Sequence, residues 1–225
     1  MHAIQRITRL VAAAALLTVV VGQLGAQGAA HRSGSGRRAT RGPRTEGLMI
    51  GIGTLGAQGV SISGADVDGT FATRFGAGAG LTLGYGTSSG IIGFASLDIA
   101  KQQSDVEDIS GTFGLAHLEV GVRMMLPAIN ATTVPYAQAS VGRRGLGARV
   151  HDFTDDSDYD MTLHGGMFGV GGGIEHAISP HTSLDLGASL AFGRFGQYDT
   201  DGERGSLTVN GTTSMRLRAG ITWRP

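Results

Sequence analysis

The stretch Met215-Arg216-Leu217-Arg218-Ala219-Gly220-Ile221-Thr222-Trp223 alternates without a break. Met215, Leu217, Ala219, Ile221 and Trp223 share one side, and Arg216, Arg218, Gly220 and Thr222 share the other. Successive side chains of an extended chain point to opposite faces, so this period of two marks a strand with one apolar face. The scheme repeats upstream. Leu184, Leu186, Ala188, Leu190 and Phe192 stand opposite Asp185, Gly187 and Ser189, and Leu118, Val120, Val122, Met124 and Leu126 stand opposite His117, Glu119, Gly121 and Arg123. Carried through the chain, the period predicts eight strands, at about 47–58, 70–86, 91–103, 111–126, 134–149, 161–178, 182–197 and 208–223.

The connections between these strands alternate in length. Thr87 to Gly90, Pro127 to Thr133 and Ser179 to His181 are short, whereas 59–69, 104–110, 150–160 and 198–207 are longer and polar. In an up-and-down meander, alternate connections emerge at opposite ends, so all long loops fall at one end. That is the organisation of an outer-membrane barrel. Alternation alone does not say which face is inside, because a soluble barrel buries its apolar side and a membrane barrel turns it outward. Three features favour the membrane form. The polar faces carry both charge signs near mid-strand, at Asp98, Glu119, Arg123, Glu175, Asp185 and Arg216. They are rich in glycine, as at Gly76, Gly78, Gly80, Gly169, Gly171 and Gly173, which leaves room for long neighbours. The strands also exceed the soluble average of about 5–6 residues and suit a tilted span of roughly 9–11. The expected fold is therefore all-β, an eight-stranded up-and-down antiparallel transmembrane β-barrel over residues 47–225.

The residues ahead of the barrel read differently. Arg6 and Arg9 precede an apolar run from Leu10 to Val21, and Leu24-Gly25-Ala26 offers a small-residue cleavage point. The run is shorter than the roughly 20 residues a membrane helix needs, so residues 1–26 read as a secretory signal peptide. Residues 27–46 include Arg32, Arg37, Arg38, Arg41 and Arg44 without apolar periodicity and read as a basic, disordered linker. The formal net charge of zero hides this asymmetry: from Glu46 onward 18 acids face 11 Lys and Arg, a balance of −7. Glycine, at 39 of 225 residues, follows no triplet, and only 5 prolines are present, so collagen is excluded. With no cysteine, disulfides, thiolate zinc sites and a lipidated N-terminal Cys are excluded too.

From Leu48 to Trp223 the chain resembles the small outer-membrane β-barrel superfamily, which includes the transmembrane domain of outer membrane protein A and the opacity-type adhesins. The likeness is carried by Pro135-Tyr136-Ala137-Gln138-Ala139, by the hairpin GGGIEHAISPHTSLDLGASLAF at 171–192, and by RLRAGITW at 216–223. The last is similar to the C-terminal signal read by the barrel-assembly machinery, although Arg224 and Pro225 follow the aromatic residue. The resemblance implies export, insertion in the bacterial outer membrane, and contact with outer-membrane lipid and lipopolysaccharide.

Motifs that carry chemistry are weak by comparison. Gly51-Ile52-Gly53-Thr54-Leu55-Gly56 matches a dinucleotide fingerprint, but no helical period follows to receive a pyrophosphate. His181-Thr182-Ser183 is similar to the His-x-Ser pair of lipid A deacylases but sits at a short turn, away from the outer leaflet. Asp156, Asp158 and Asp160 follow the D-x-D-x-D start of a calcium loop, yet Met161 replaces the glycine and no glutamate closes the loop. They remain weak metal candidates in an acidic rim. Asn130 and Asn210 open glycosylation sequons that a bacterial export product does not use. Charges on the polar faces form the main candidate site: Glu119, Arg123, Glu175, Asp185, Arg216 and Arg218 are expected to compensate one another across the lumen.

The function expected from these residues is non-enzymatic, with no cofactor and no nucleic-acid partner. The barrel would anchor surface loops for envelope integrity, adhesion or contact with a surface ligand. A narrow conduit for small or apolar solutes is the alternative, and a lipid-modifying enzyme or a soluble secreted barrel stand behind it.

Overall fold

A computed structural model describes residues 45–64, 67–72, 76–103, 112–152, 157–200, 203–206 and 211–225. The leader 1–26 and the linker up to residue 44 lie outside them. Ten strand segments follow in order: β1 (Gly47–Gly64), β2 (Val67–Ala72), β3 (Ala77–Gly86), β4 (Ile91–Gln103), β5 (Thr112–Met125), β6 (Thr133–Asp152), β7 (Ser157–Ala177), β8 (Thr182–Thr200), β9 (Glu203–Ser206) and β10 (Gly211–Trp223). Eight of them close a ring. β1 pairs with β3, the meander runs on through β8, β8 pairs with β10, and β10 returns antiparallel to β1 from Ile50↔Trp223 to Ser63↔Gly211.

Two segments stand outside the ring and correct the expected boundaries. The strand expected over 70–86 is broken into β2 and β3, with 73–75 outside the described residues. The two segments keep one register: Leu55 pairs with Gly78 of β3, and Ser61, six residues further along β1, pairs with Ala72 of β2, six residues earlier. The longer polar loops expected at 59–69, 150–160 and 198–207 are mostly paired strand. β1 and β2 continue the ladder, β6 and β7 pair as far as Asp152↔Ser157, and β8 pairs with β9 from Gln197↔Ser206 to Thr200↔Glu203. The physical reason is that a backbone ladder needs no apolar face once it leaves hydrocarbon. In the β6–β7 and β8–β9 extensions polar residues enter at both parities, so the period of two fades while the hydrogen bonds persist. At about 3.4 Å per residue β7, with 21 residues, is roughly 70 Å long. Crossing an apolar band of about 25 Å at a tilt near 40° needs only about ten residues. The surplus length projects at the end opposite the short turns. Residues 104–110, the fourth expected long loop, lie outside the described residues.

The short turns hold the other end. Thr87 to Ile91 is closed by Thr87 N–H to Ile91 O at 2.8 Å and Gly90 N–H to Thr87 O at 3.1 Å. Gly90 sits at φ 83°, in the left-handed region that favours glycine. In the next turn Asn130 Oδ1 accepts from the backbone N–H of Thr132 and Thr133 at 3.0 and 2.8 Å, so this sequon asparagine serves as an Asx turn.

The burial pattern is inverted relative to a soluble barrel. Ile52, Ile99, Val141 and Ile221 are each more than half exposed, at 66%, 56%, 55% and 53%. Asp98, His117, Glu119, Arg123, Arg144, Glu175, Asp185, Arg216 and Arg224 are buried. Water on both sides would never select this arrangement. A hydrocarbon exterior does, and the fold is a transmembrane barrel.

Candidate functional site in the barrel lumen

Strand parity sends one side chain in two into the lumen, and these side chains fill it in layers. Nearest the short turns, Glu175 and Asp185 face each other across the β7–β8 ladder. Like charges directly opposite repel, and here a cation holds them together. Arg123, reaching from β5, donates through Nη1 to Glu175 at 2.8 Å and to Asp185 at 2.9 Å. Its guanidinium lies 3.9 Å from the Tyr136 ring centre, and the Tyr136 hydroxyl donates to Asp185 at 2.7 Å. Gln138, opposite Arg123 on β6, accepts from Arg123 Nε at 3.3 Å. Gly187 and Gly173 are where Tyr136 needs them: a Cβ on Gly173 would stand 2.6 Å from the hydroxyl, and one on Gly187 would collide with it.

One layer further, Asp98 of β4 receives two arginines from β10. Arg216 Nη1 donates at 2.7 Å and Arg218 Nη2 at 2.6 Å, while Arg218 Nη1 donates to Thr82 Oγ1 at 2.9 Å. Arg216 also pairs with Glu119, which accepts from Ser140 at 2.7 Å. Gly80 sits opposite Asp98 on β3, and a Cβ there would overlap the carboxylate. Toward the projecting hairpins, His117 and Arg144 face each other on β5 and β6. Arg144 donates to the Thr212 carbonyl at 3.2 Å and lies 4.9 Å from the Phe195 ring centre. Its Nε and Nη1, and both His117 ring nitrogens, have no hydrogen-bond partner among the described residues. His117 Nδ1 is 3.7 Å from Glu119.

The six charges singled out in the sequence all lie in this lumen, joined in two networks. Glu119 and Arg123 share a strand face but take their partners elsewhere, on Arg216 and on Glu175 with Asp185. Asp98, already placed on a polar face by the alternation, joins them, whereas Arg144 and Arg224 were not singled out. Arg224 closes the short-turn end: it is 2% exposed, donates to Glu175 at 2.9 Å, and its backbone N–H donates to the His181 carbonyl at 2.8 Å. The signal for all three was parity. Asp98 aligns with Ser96, Arg144 with Gln138 and Ser140, and Arg224 with Arg216 and Arg218.

The other chemical candidates do not converge. Gly51 to Gly56 runs inside β1 with no helix after it. His181 Nδ1 is engaged by the Arg224 carbonyl at 2.8 Å, and Ser183 is buried on the lumen side. Asp156 is outside the described residues. Asp158 pairs in register with His151 and Asp160 with Arg149, and the described residues contain no group of His, Asp or Glu able to hold a metal. Among the described residues, two of the cavities along the lumen have volumes of about 10 and 20 Å³. A water needs about 10–15 Å³ by this measure, so each admits about one.

No protein-family model matches the sequence, and no curated protein matches it. Solved structures do. The chain is similar to neisserial surface protein A, with 15% identity and a TM-score of 0.55 over 80% of this chain and 98% of that one. It is likewise similar to a major outer membrane protein of Thermus thermophilus, with 12% identity and a TM-score of 0.50 over 80% of this chain and all of the other. At such identities the likeness speaks for the fold. The chain has the fold of the small eight-stranded outer-membrane β-barrels.

Proposed function

We propose that the protein is a non-enzymatic component of the bacterial outer membrane, exported by its leader and inserted by the barrel-assembly machinery. The barrel anchors the projecting β1–β2, β6–β7 and β8–β9 hairpins at the cell surface, where they serve envelope integrity, adhesion or contact with a ligand. One observation carries this reading: the lumen is filled by paired charges from β4, β5, β7, β8 and β10, with cavities of about 10 and 20 Å³ between them. Such a core supports rigidity. A conduit needs a continuous water column, and an eight-stranded interior is just wide enough for side chains. Paired buried charges also hold one register, because slipping a strand by one residue would turn its arginine toward lipid.

Planar-bilayer recording of the refolded chain tests the reading. The anchor gives no steady conductance for hydrated metabolite-sized ions. A stable open channel in the wild-type chain would overturn it in favour of the conduit.

A further inference from the structure

The outward face of β6, β7 and β8 changes character within two residues. Val141, Phe168 and Phe192 are neighbours in the hydrogen-bonded ladders and all are exposed, forming an apolar row. Two residues nearer the hairpins, the row on the same face is Arg143, Gly166 and Arg194, again paired side by side and again exposed. His164 follows on β7, exposed on that face beside Gln197, where an extra residue at Gly196 bulges β8. Neither arginine side chain makes a hydrogen bond or ion pair with the described residues. Gly166 between them leaves a gap: a Cβ placed there would meet nothing within 4 Å. The cluster also runs against the balance of the chain, which is −7 from Glu46 onward.

From this we infer that Arg143, Arg194 and His164 form a docking site on the outer wall of the barrel for the phosphate of lipopolysaccharide, with its acyl chains on Val141, Phe168 and Phe192. The inference rests on the reading above, which turns the hairpin end toward the cell exterior. The chemistry is specific in two respects. The two arginines stand on strands two spacings apart, about 10 Å, a separation that extended guanidinium groups span by converging on one phosphate over Gly166. Arginine favours that task because its planar fork of donors matches phosphate oxygens in a bidentate way. The ligand also carries hydrocarbon, because the apolar row two residues below the arginines faces the membrane interior, so a phosphate held at Arg143 and Arg194 is held at its edge. A soluble anion would leave that row unused.

The test uses the chain refolded into phosphatidylcholine vesicles, titrated with lipopolysaccharide during urea unfolding. Lipopolysaccharide should raise the unfolding midpoint of the wild-type barrel. Arg143→Gln/Arg194→Gln should need about 30-fold more for the same rise, equivalent to about 1 kcal/mol per interfacial arginine, with its midpoint in phosphatidylcholine alone unchanged. Gly166→Leu, whose added Cβ would meet nothing within 4 Å, places a side chain in the gap and should lose the response similarly. Full response in both variants would overturn the site. An equal response of the wild type to phosphatidylglycerol or to sodium pyrophosphate at matched phosphate would also overturn it, showing a general charge effect. Failure of the wild-type chain to insert into any vesicle would instead overturn the outer-membrane reading, and this site with it.

Discussion

Replacing Arg216 by Met removes the cation that joins Asp98 and Glu119, and the consequences can be worked through from their partners. Asp98 keeps Arg218, which donates at 2.6 Å. Glu119 keeps the Ser140 hydroxyl and a His117 ring nitrogen 3.7 Å away, while remaining 2% exposed. The loss is therefore mostly a stranded carboxylate at position 119. Breaking a buried pair in this way costs about 3–5 kcal/mol. With a urea slope of about 1–3 kcal/mol/M, a loss of about 3 kcal/mol lowers the midpoint by about 1–3 M. The single tryptophan, Trp223, is 46% exposed on the outer wall, so its fluorescence reports insertion and unfolding together. The double variant Arg216→Met/Glu119→Gln removes both ends of the pair and should recover most of the loss, giving a double-mutant coupling of the same order. Unchanged midpoints in both variants, accompanied by a large change in bilayer conductance, would refute the reasoning: Arg216 would then line water.

Arg144→Met should have the opposite sign. Its Nε and Nη1 are buried without partners among the described residues, so its removal should leave stability unchanged or raised, read by the same urea titration. Leu190→Arg, on the outward face, should cost about 2–4 kcal/mol if the site lies near the bilayer midplane, and a harmless outcome in lipid vesicles would reverse the faces. A protease added to whole cells should cut within 104–110, 150–160 or 198–207 and spare the turns at 87–90 and 179–181; cleavage at Ser179 alone would invert the orientation.

Much of this was legible because the bilayer imposes a simple rule on each strand. Where hydrocarbon lies outside, parity divides lipid from lumen. Met215 to Trp223 obeys it at every step, so the ring and the inward charges could be read from the residues. Two kinds of information escaped it. One was the length of the hairpins. Asp152↔Ser157 and Thr200↔Glu203 are held by backbone bonds in stretches where polar residues occupy both parities, and no periodicity announces them. The other was partner choice. Parity says that Asp98 and Arg216 both point inward, but their meeting depends on how the closed ring staggers strands that stand 118 residues apart.

Arg224 combines both difficulties. It lies past the last ladder residue, Trp223, and so outside the alternation that marks the strand. Yet it continues the inward parity of Arg218, and its backbone is fixed by His181 through two contacts of 2.8 Å. Its guanidinium then reaches Glu175, which Arg123 already holds from the opposite side of the lumen. Glu175, completely buried, is thus clamped between two arginines, and the two sites are coupled. Arg224→Ala alone should cost less than Arg123→Ala, because Arg123 still neutralises Glu175 while also serving Asp185. Losing both should cost more than the sum, since only then does the carboxylate face the lumen without any cation. Additive losses in a urea titration of the three variants would mean that Arg224 does not share the load on Glu175 and that its burial at the short-turn end is packing alone.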